Sequence, residues 1–176
     1  MKNIIAFAGS NSTTSINKKL VEYTSSLVKE TEINILDLND FELPIYGVDL
    51  EQKEGFPENA KRFAEAIKNS DGIILSLAEH NGAYSAVFKN LFDWISRIEQ
   101  KTFLNKPMLL MATSPGARGG VTVLEIAKGR FPYHDAQIVG TFSLPSFYDN
   151  FSEGKITDEA SNAQLLEQVK KFEATL

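Results

Sequence analysis

The chain contains no cysteine, so disulfides, thiol nucleophiles and cysteine-ligated metals are excluded at once. Histidine is almost as scarce. His80 and His134 are the only two, and they are too far apart to build a zinc-ligand spacing or a Ser-His-Asp set, so no metal site is expected. His134 reads as a loop or surface residue. Basic residues are in deficit, with 18 Lys and Arg against 23 Asp and Glu and a net charge of −5, which argues against a general nucleic-acid partner. No apolar run approaches the roughly 20 residues that a membrane-spanning helix needs, so no membrane partner is expected. Met1-Lys2-Asn3 runs straight into a strand-like segment, which leaves no room for a cleavable signal, and the chain reads as soluble and cytoplasmic. Gly-x-Gly-x-x-Gly, Gly-x-x-x-x-Gly-Lys-Ser/Thr and Gly-x-Ser-x-Gly are all missing, which disfavours a Rossmann dinucleotide site, a P-loop and a hydrolase elbow. There is no internal repeat, low-complexity tract or linker.

What is present is enough apolar sequence, 43% of 176 residues, for one globular domain over residues 1–176. Short β-rich runs alternate with longer stretches of helical period, the pattern of an α/β chain with a parallel sheet covered on both faces. Five strands are expected over residues 3–8, 32–37, 72–77, 106–113 and 136–142, the third and fourth apolar enough to be buried on both faces. Between them Ile16, Leu20, Tyr23 and Leu27 recur at helical spacing, predicting a helix over 15–29. Further helices are expected over 57–69, 83–98, 119–128 and 158–172. Trp94 with Val87, Leu91 and Ile95 reads as core or subunit interface. Segments 38–56 and 143–157 read as long connections, which in compact domains are more often functional than idle.

Ligands of doubly wound sheets bind at the carboxyl ends of the strands, so the segments following strands one, three and four should converge. After the first comes Gly9-Ser10-Asn11-Ser12-Thr13-Thr14-Ser15-Ile16-Asn17, where a glycine turn, hydroxyls, amides and the N–H groups of a helix start could form a phosphate nest. The same stretch also fits a hydroxyl-rich turn with an N-cap. After the third comes Ala78-Glu79-His80-Asn81-Gly82-Ala83-Tyr84. After the fourth comes Thr113-Ser114-Pro115-Gly116-Ala117-Arg118-Gly119-Gly120, either a plain turn with a surface arginine or a place where backbone N–H groups approach a flat ligand. A receiver domain would need an acidic pair after strand one, and that place is hydroxyl-rich.

Taken together, Gly9-Ser10-x-x-x-x-Ser15-x-Asn17, Glu79-x-Asn81-Gly82-x-Tyr84 with Lys89-Asn90-x-x-Asp93-Trp94, and Ser114-x-Gly116-x-x-Gly119-Gly120 resemble the NAD(P)H-dependent FMN reductase family. That family includes quinone, azo and chromate reductases, and the middle motif is the most specific of the three. The resemblance implies a flavodoxin-like three-layer α/β/α sandwich with a five-stranded parallel sheet of order 2-1-3-4-5. By position it puts Ser10, Ser15 and Asn17 at the FMN phosphate and Glu79, His80 and Asn81 along the isoalloxazine ring. Ser114, Gly119 and Gly120 fall near the pyrimidine side, and Gly9, Ser12, Ile16, Gly82, Gly116 and Arg118 complete the cofactor-binding set. Four positions depart from the family pattern: Ser12 where arginine is usual, Ala78 and Ser85 where prolines are common, and His80 where tyrosine is common. A missing charge-assisted bond at position 12 would cost ~1.5–3 kcal/mol of FMN affinity.

The implied function is an oxidoreductase that passes electrons from NADPH or NADH through FMN to a small-molecule acceptor by a ping-pong cycle, in a homodimer or homotetramer. Flavin carries the chemistry, so no catalytic side chain is named; backbone N–H groups of Gly119 and Gly120, with Arg118, are expected to stabilise negative charge on the reduced pyrimidine ring. An FMN-binding electron carrier or redox sensor without a productive NAD(P)H site is the alternative.

Overall fold

The computed structural model describes residues 1–176. Five parallel strands form the central sheet: β1 (Lys2–Gly9), β2 (Thr31–Leu36), β3 (Gly72–Leu77), β6 (Pro107–Thr113) and β7 (Gln137–Leu144). Their spatial order is β2-β1-β3-β6-β7, the expected 2-1-3-4-5 among the five expected strands. Two short hairpins supply the remaining strands, β4 (Glu79–His80) with β5 (Ala83–Tyr84), and β8 (Phe151–Ser152) with β9 (Lys155–Ile156). The helices are α1 (Ile16–Leu27), α2 (Val48–Glu54), α3 (Glu58–Lys68), α4 (Ala86–Ile98), α5 (Val121–Arg130), the single turn α6 (Phe147–Asn150) and α7 (Glu159–Glu173).

Successive strand side chains point to opposite faces, so a strand apolar at every position needs a cover on each side. Along β1, Ile5 and Phe7 enter one core with Phe63 of α3, Leu91 of α4 and Val123 of α5, while Ile4, Ala6 and Ala8 enter a second core with Leu20 of α1 and Val169 of α7. β3 and β6 split in the same way. Trp94 is fully buried in the first core, which decides between core and subunit interface in favour of core.

Three differences from the sequence expectations have local causes. Segment 38–56 is not all connection: it holds a 3₁₀ turn at Leu38–Phe41 and α2, which buries no residue and so carries no apolar period. It is held by Glu51, whose carboxylate accepts from Tyr46 Oη at 2.9 Å and from Arg97 Nε and Nη2 at 2.9 and 3.1 Å. Segment 143–157 likewise contains the end of β7, α6 and the β8/β9 hairpin. Thirdly, α4 starts at Ala86 rather than Ala83, because Ala83 and Tyr84 form the return strand of a hairpin and Ser85 Oγ caps the helix by accepting from Phe88 N at 3.2 Å.

His134 is also not a surface residue. It is 8% exposed, its ring lies edge-on to Phe92 at 4.8 Å, and Nδ1 donates to the Gln100 carbonyl at 2.9 Å. Burial pushes the imidazole below its ordinary value of 6.5, against the opposing pull of the Gln100 bond. The unfolded chain therefore takes up this proton first as the pH falls. Above about pH 6.5 both states hold the ring neutral, and below it the folded state loses stability until its own lower value is passed. Urea unfolding should show stability declining between pH 7 and 5, with a flatter decline in His134→Gln; equal slopes would assign the decline to other groups.

Candidate functional site

The β1–α1 loop is a self-folded turn. Ser10 Oγ accepts from Ser12 N at 3.1 Å, Ser12 Oγ accepts from Thr14 N at 3.3 Å, and Ser15 Oγ caps α1 by accepting from Lys18 N at 3.1 Å. The N–H groups of Asn11, Thr13, Ile16 and Asn17 donate to no protein group and cluster at the positive end of α1. No side chain from Gly9 to Asn17 is charged. The nearest cation in sequence, Lys18, is paired to Asp37 Oδ2 at 2.6 Å at the end of β2, which raises the ammonium pKa and lowers that of the carboxylate.

Two residues fasten this loop to the sheet. Ser85 Oγ donates to the Gly9 carbonyl at 2.7 Å. Asn17, 3% exposed, accepts at Oδ1 from Thr113 N at 3.1 Å and from Ser76 Oγ at 2.7 Å, and donates through Nδ2 to Thr113 O at 3.2 Å. Its amide thus ties α1 to the ends of β3 and β6. The Asn17 side chain is a strut beneath the loop, while its backbone N–H has no protein partner. The sequence marks Ser85 only as a departure from the family's proline, with no role attached, and Ser76 carries no signal at all.

The segment after β3 is the β4/β5 hairpin. Asn81 and Gly82 occupy its tip at φ +52° and +71°, two consecutive left-handed residues, as a type I′ turn requires. The Asn-Gly dipeptide is the sequence signal for such a turn, so both residues are accounted for by the backbone alone. His80 and Asn81 are exposed at the tip. Glu79 turns away from it: Oε2 accepts from Val123 N at 2.9 Å in the first turn of α5. The rest of the middle motif serves another contact. Asn90 Oδ1 accepts from Tyr46 N at 2.8 Å, Trp94 Nε1 donates to Pro44 O at 2.8 Å, and Lys89 pairs with Asp93 at 2.7 Å on α4.

After β6, Gly119 and Gly120 are left-handed at φ +58° and +73° and open α5. A Cβ on Gly119 would lie 2.5 Å from Ser143 Oγ and 2.8 Å from Pro145 N, so the end of β7 by itself requires a glycine here. Its N–H donates to Gly116 O at 3.2 Å. Of the expected pair of charge-stabilising donors, Gly119 N–H is thus engaged within the loop while Gly120 N–H is unengaged, as are those of Gly116, Ala117, Arg118 and Thr122. Ser114 Oγ donates to Gly116 O at 3.3 Å, and Arg118 Nη2 donates to Thr122 Oγ1 at 3.1 Å. The three loops meet as the topology demands: Glu79 and Asn17 bridge them, and a Cβ on Gly82 would sit 3.8 Å from Thr122 Cγ2.

Residues 2–149 match the family described as NADPH-dependent FMN reductase. The chain belongs to that family. Among members, the quinone reductase of Escherichia coli strain K12 is 34% identical over 98 residues, 56% of this chain and 48% of its own length. The chain thus aligns with about half the length of that relative. The 2-hydroxy-1,4-benzoquinone reductase of a Burkholderia species is 29% identical and aligns over 96% of this chain and 88% of its own. In fold, the chain is similar to the flavoenzyme NAD(P)H:acceptor oxidoreductase FerB of Paracoccus denitrificans, with a TM-score of 0.78, 26% identity and coverage of 99% and 96% of the two chains. Flavodoxin 1 of Bacillus cereus shares the fold at a TM-score of 0.61. FMN reductase family membership and the sheet order agree with the sequence reading, and the fold is flavodoxin-like.

Proposed function

We propose that the chain is one FMN-binding unit over residues 1–176 and acts as an NAD(P)H-dependent oxidoreductase on small-molecule acceptors such as quinones, azo compounds or free flavin. The observation that carries the reading is the cluster of unengaged N–H groups of Asn11, Thr13, Ile16 and Asn17 at the start of α1. Neutral donors at a helix N-terminus, with no carboxylate in the loop, fit a phosphate dianion. Ser10, Ser12 and Ser15 would add hydroxyls there. His80, Asn81 and Gly82 on one side and Ser114, Gly116, Arg118 and Gly120 on the other would hold the ring. When bound, FMN supplies the redox chemistry, taking a hydride from NADPH or NADH and releasing the electrons to a second substrate, a two-half-reaction cycle. The protein's own part is to bind, orient and polarise: the N–H groups of Gly120 and Thr122 and the Arg118 guanidinium offer donors to negative charge on the ring.

No helix is long and apolar enough to cross a membrane, and a cytoplasmic location is part of the proposal. So is a homo-oligomer. Ile45 stands 79% exposed at the lip of a groove of about 500 Å³ whose lining mixes Leu38, Leu43 and Val87 with the polar Asn39, Glu42 and Asn90. A knob and a groove on one face suit twofold pairing of identical chains.

Titration with FMN followed by anaerobic addition of each nicotinamide tests the activity. Bleaching of the bound flavin is expected, whereas a flavin that binds and stays oxidised would leave an electron carrier. The placement of the phosphate has its own test in Ser12→Arg. Ser12 is exposed, so a longer side chain has room. A guanidinium there should favour FMN over riboflavin by roughly several-fold to a hundredfold, less at high salt, because only FMN carries the dianion. Equal responses from both flavins would remove the phosphate from this loop.

A further inference from the structure

Glu79 comes from the segment expected along the ring, yet its carboxylate is spent on the first turn of a different element, accepting from Val123 N at 2.9 Å. That turn is the one whose N–H groups and dipole face the region assigned to the pyrimidine side. A helix start carries about half a positive charge, and an anionic carboxylate placed on it cancels part of that potential. Arg118 is hydrogen-bonded to Thr122 in the same turn at 3.1 Å and acts with the opposite sign. Resting on the FMN reading above, we propose that Glu79 is a positioning residue that sets the reduction potential of the bound flavin. Its negative charge at the start of α5 holds that potential down.

The chemistry fixes the sign. A hydride brings two electrons and one proton to the oxidised ring, so one negative charge remains on the pyrimidine side. Whatever lowers the positive potential there disfavours the reduced state relative to the oxidised one. Glu79 is also a cap, and the two roles separate by substitution. Glu79→Gln keeps an oxygen that can accept from Val123 N and removes only the charge, whereas Glu79→Ala removes both.

The test is the midpoint potential of FMN bound to the full chain, measured by equilibration with reference dyes, beside FMN affinity. Glu79→Gln should bind oxidised FMN as the parent does and favour the reduced form roughly three- to tenfold. That ratio corresponds to a rise of about 15 to 30 mV for a two-electron couple. Glu79→Ala should show the same rise and, in addition, weaker binding, because the hairpin is no longer tied to α5. A purely structural cap would leave the potential of Glu79→Gln unmoved, and that result, or a fall, overturns the proposal. Failure of the parent chain to bind FMN at all would instead overturn the function reading, and this inference with it.

Discussion

Gly119→Val is expected to lower the free energy of unfolding by about 2 to 5 kcal/mol and to abolish flavin binding. The residue sits at φ +58°, where an L side chain strains the backbone by ~1–2 kcal/mol. Its Cβ would then lie 2.5 Å from Ser143 Oγ, 2.8 Å from Pro145 N and 2.9 Å from Leu144 C. The last two are backbone atoms that cannot swing aside. Ser143 Oγ also donates to the Gly119 carbonyl at 2.9 Å, so the clash destroys the contact that holds the loop. Overfilling of this kind adds ~1–3 kcal/mol. Gly116→Ala is the control, since the nearest atom to a Cβ there is Ser114 Oγ at 4.0 Å. Urea unfolding of both variants without flavin decides the matter: similar stabilities would show that the loop yields at Gly119 and that the crowding is harmless.

Asn17→Leu should cost about 2 to 4 kcal/mol, because it leaves Thr113 N–H, Thr113 C=O and Ser76 Oγ without their partners in a buried place. Ser76→Ala alone should cost only ~1 kcal/mol, since Asn17 Oδ1 keeps its bond from Thr113 N. The two losses should not add. Once Asn17 is gone the serine has nothing left to donate to, so Ser76→Ala in the Asn17→Leu background is expected to change stability little. Additive costs in that double-mutant cycle would mean that the three groups do not act through the one amide.

Much of the scaffold is legible because strands and helices bury apolar faces with fixed periods. Ile4 to Ala8 and the runs in β3 and β6 are apolar on both faces, which only a sheet covered on both sides can satisfy. α2 is invisible to the same reading because no residue in it is fully buried; Leu50 packs only partly against the first core, and Glu51 reaches Tyr46 and Arg97. At the candidate site the right segments stand out, but the jobs of single residues do not. Asn81-Gly82 looks like ligand chemistry and is also what a two-residue hairpin turn demands. Glu79 looks like a group for the ring edge and instead meets a backbone N–H 44 residues away. The Lys89 to Trp94 motif carries part of the family resemblance, and its asparagine and tryptophan hold the 43–46 segment. Sequence identifies which polar groups converge; it does not say which of them are consumed by one another.

The Asn17 strut also fixes an order of events in time. Asn17 and Thr113 are 96 residues apart, so at roughly 5–20 residues per second the amide emerges about 5 to 20 s before the backbone that it must grip. Throughout that interval the first loop has its hydroxyls and its helix start but no floor, and β1 waits for β3 in the same way. Cofactor uptake therefore belongs to a chain synthesised past β6. Fragments that stop before Thr113 should emerge from translation without flavin, however much of the first loop they contain.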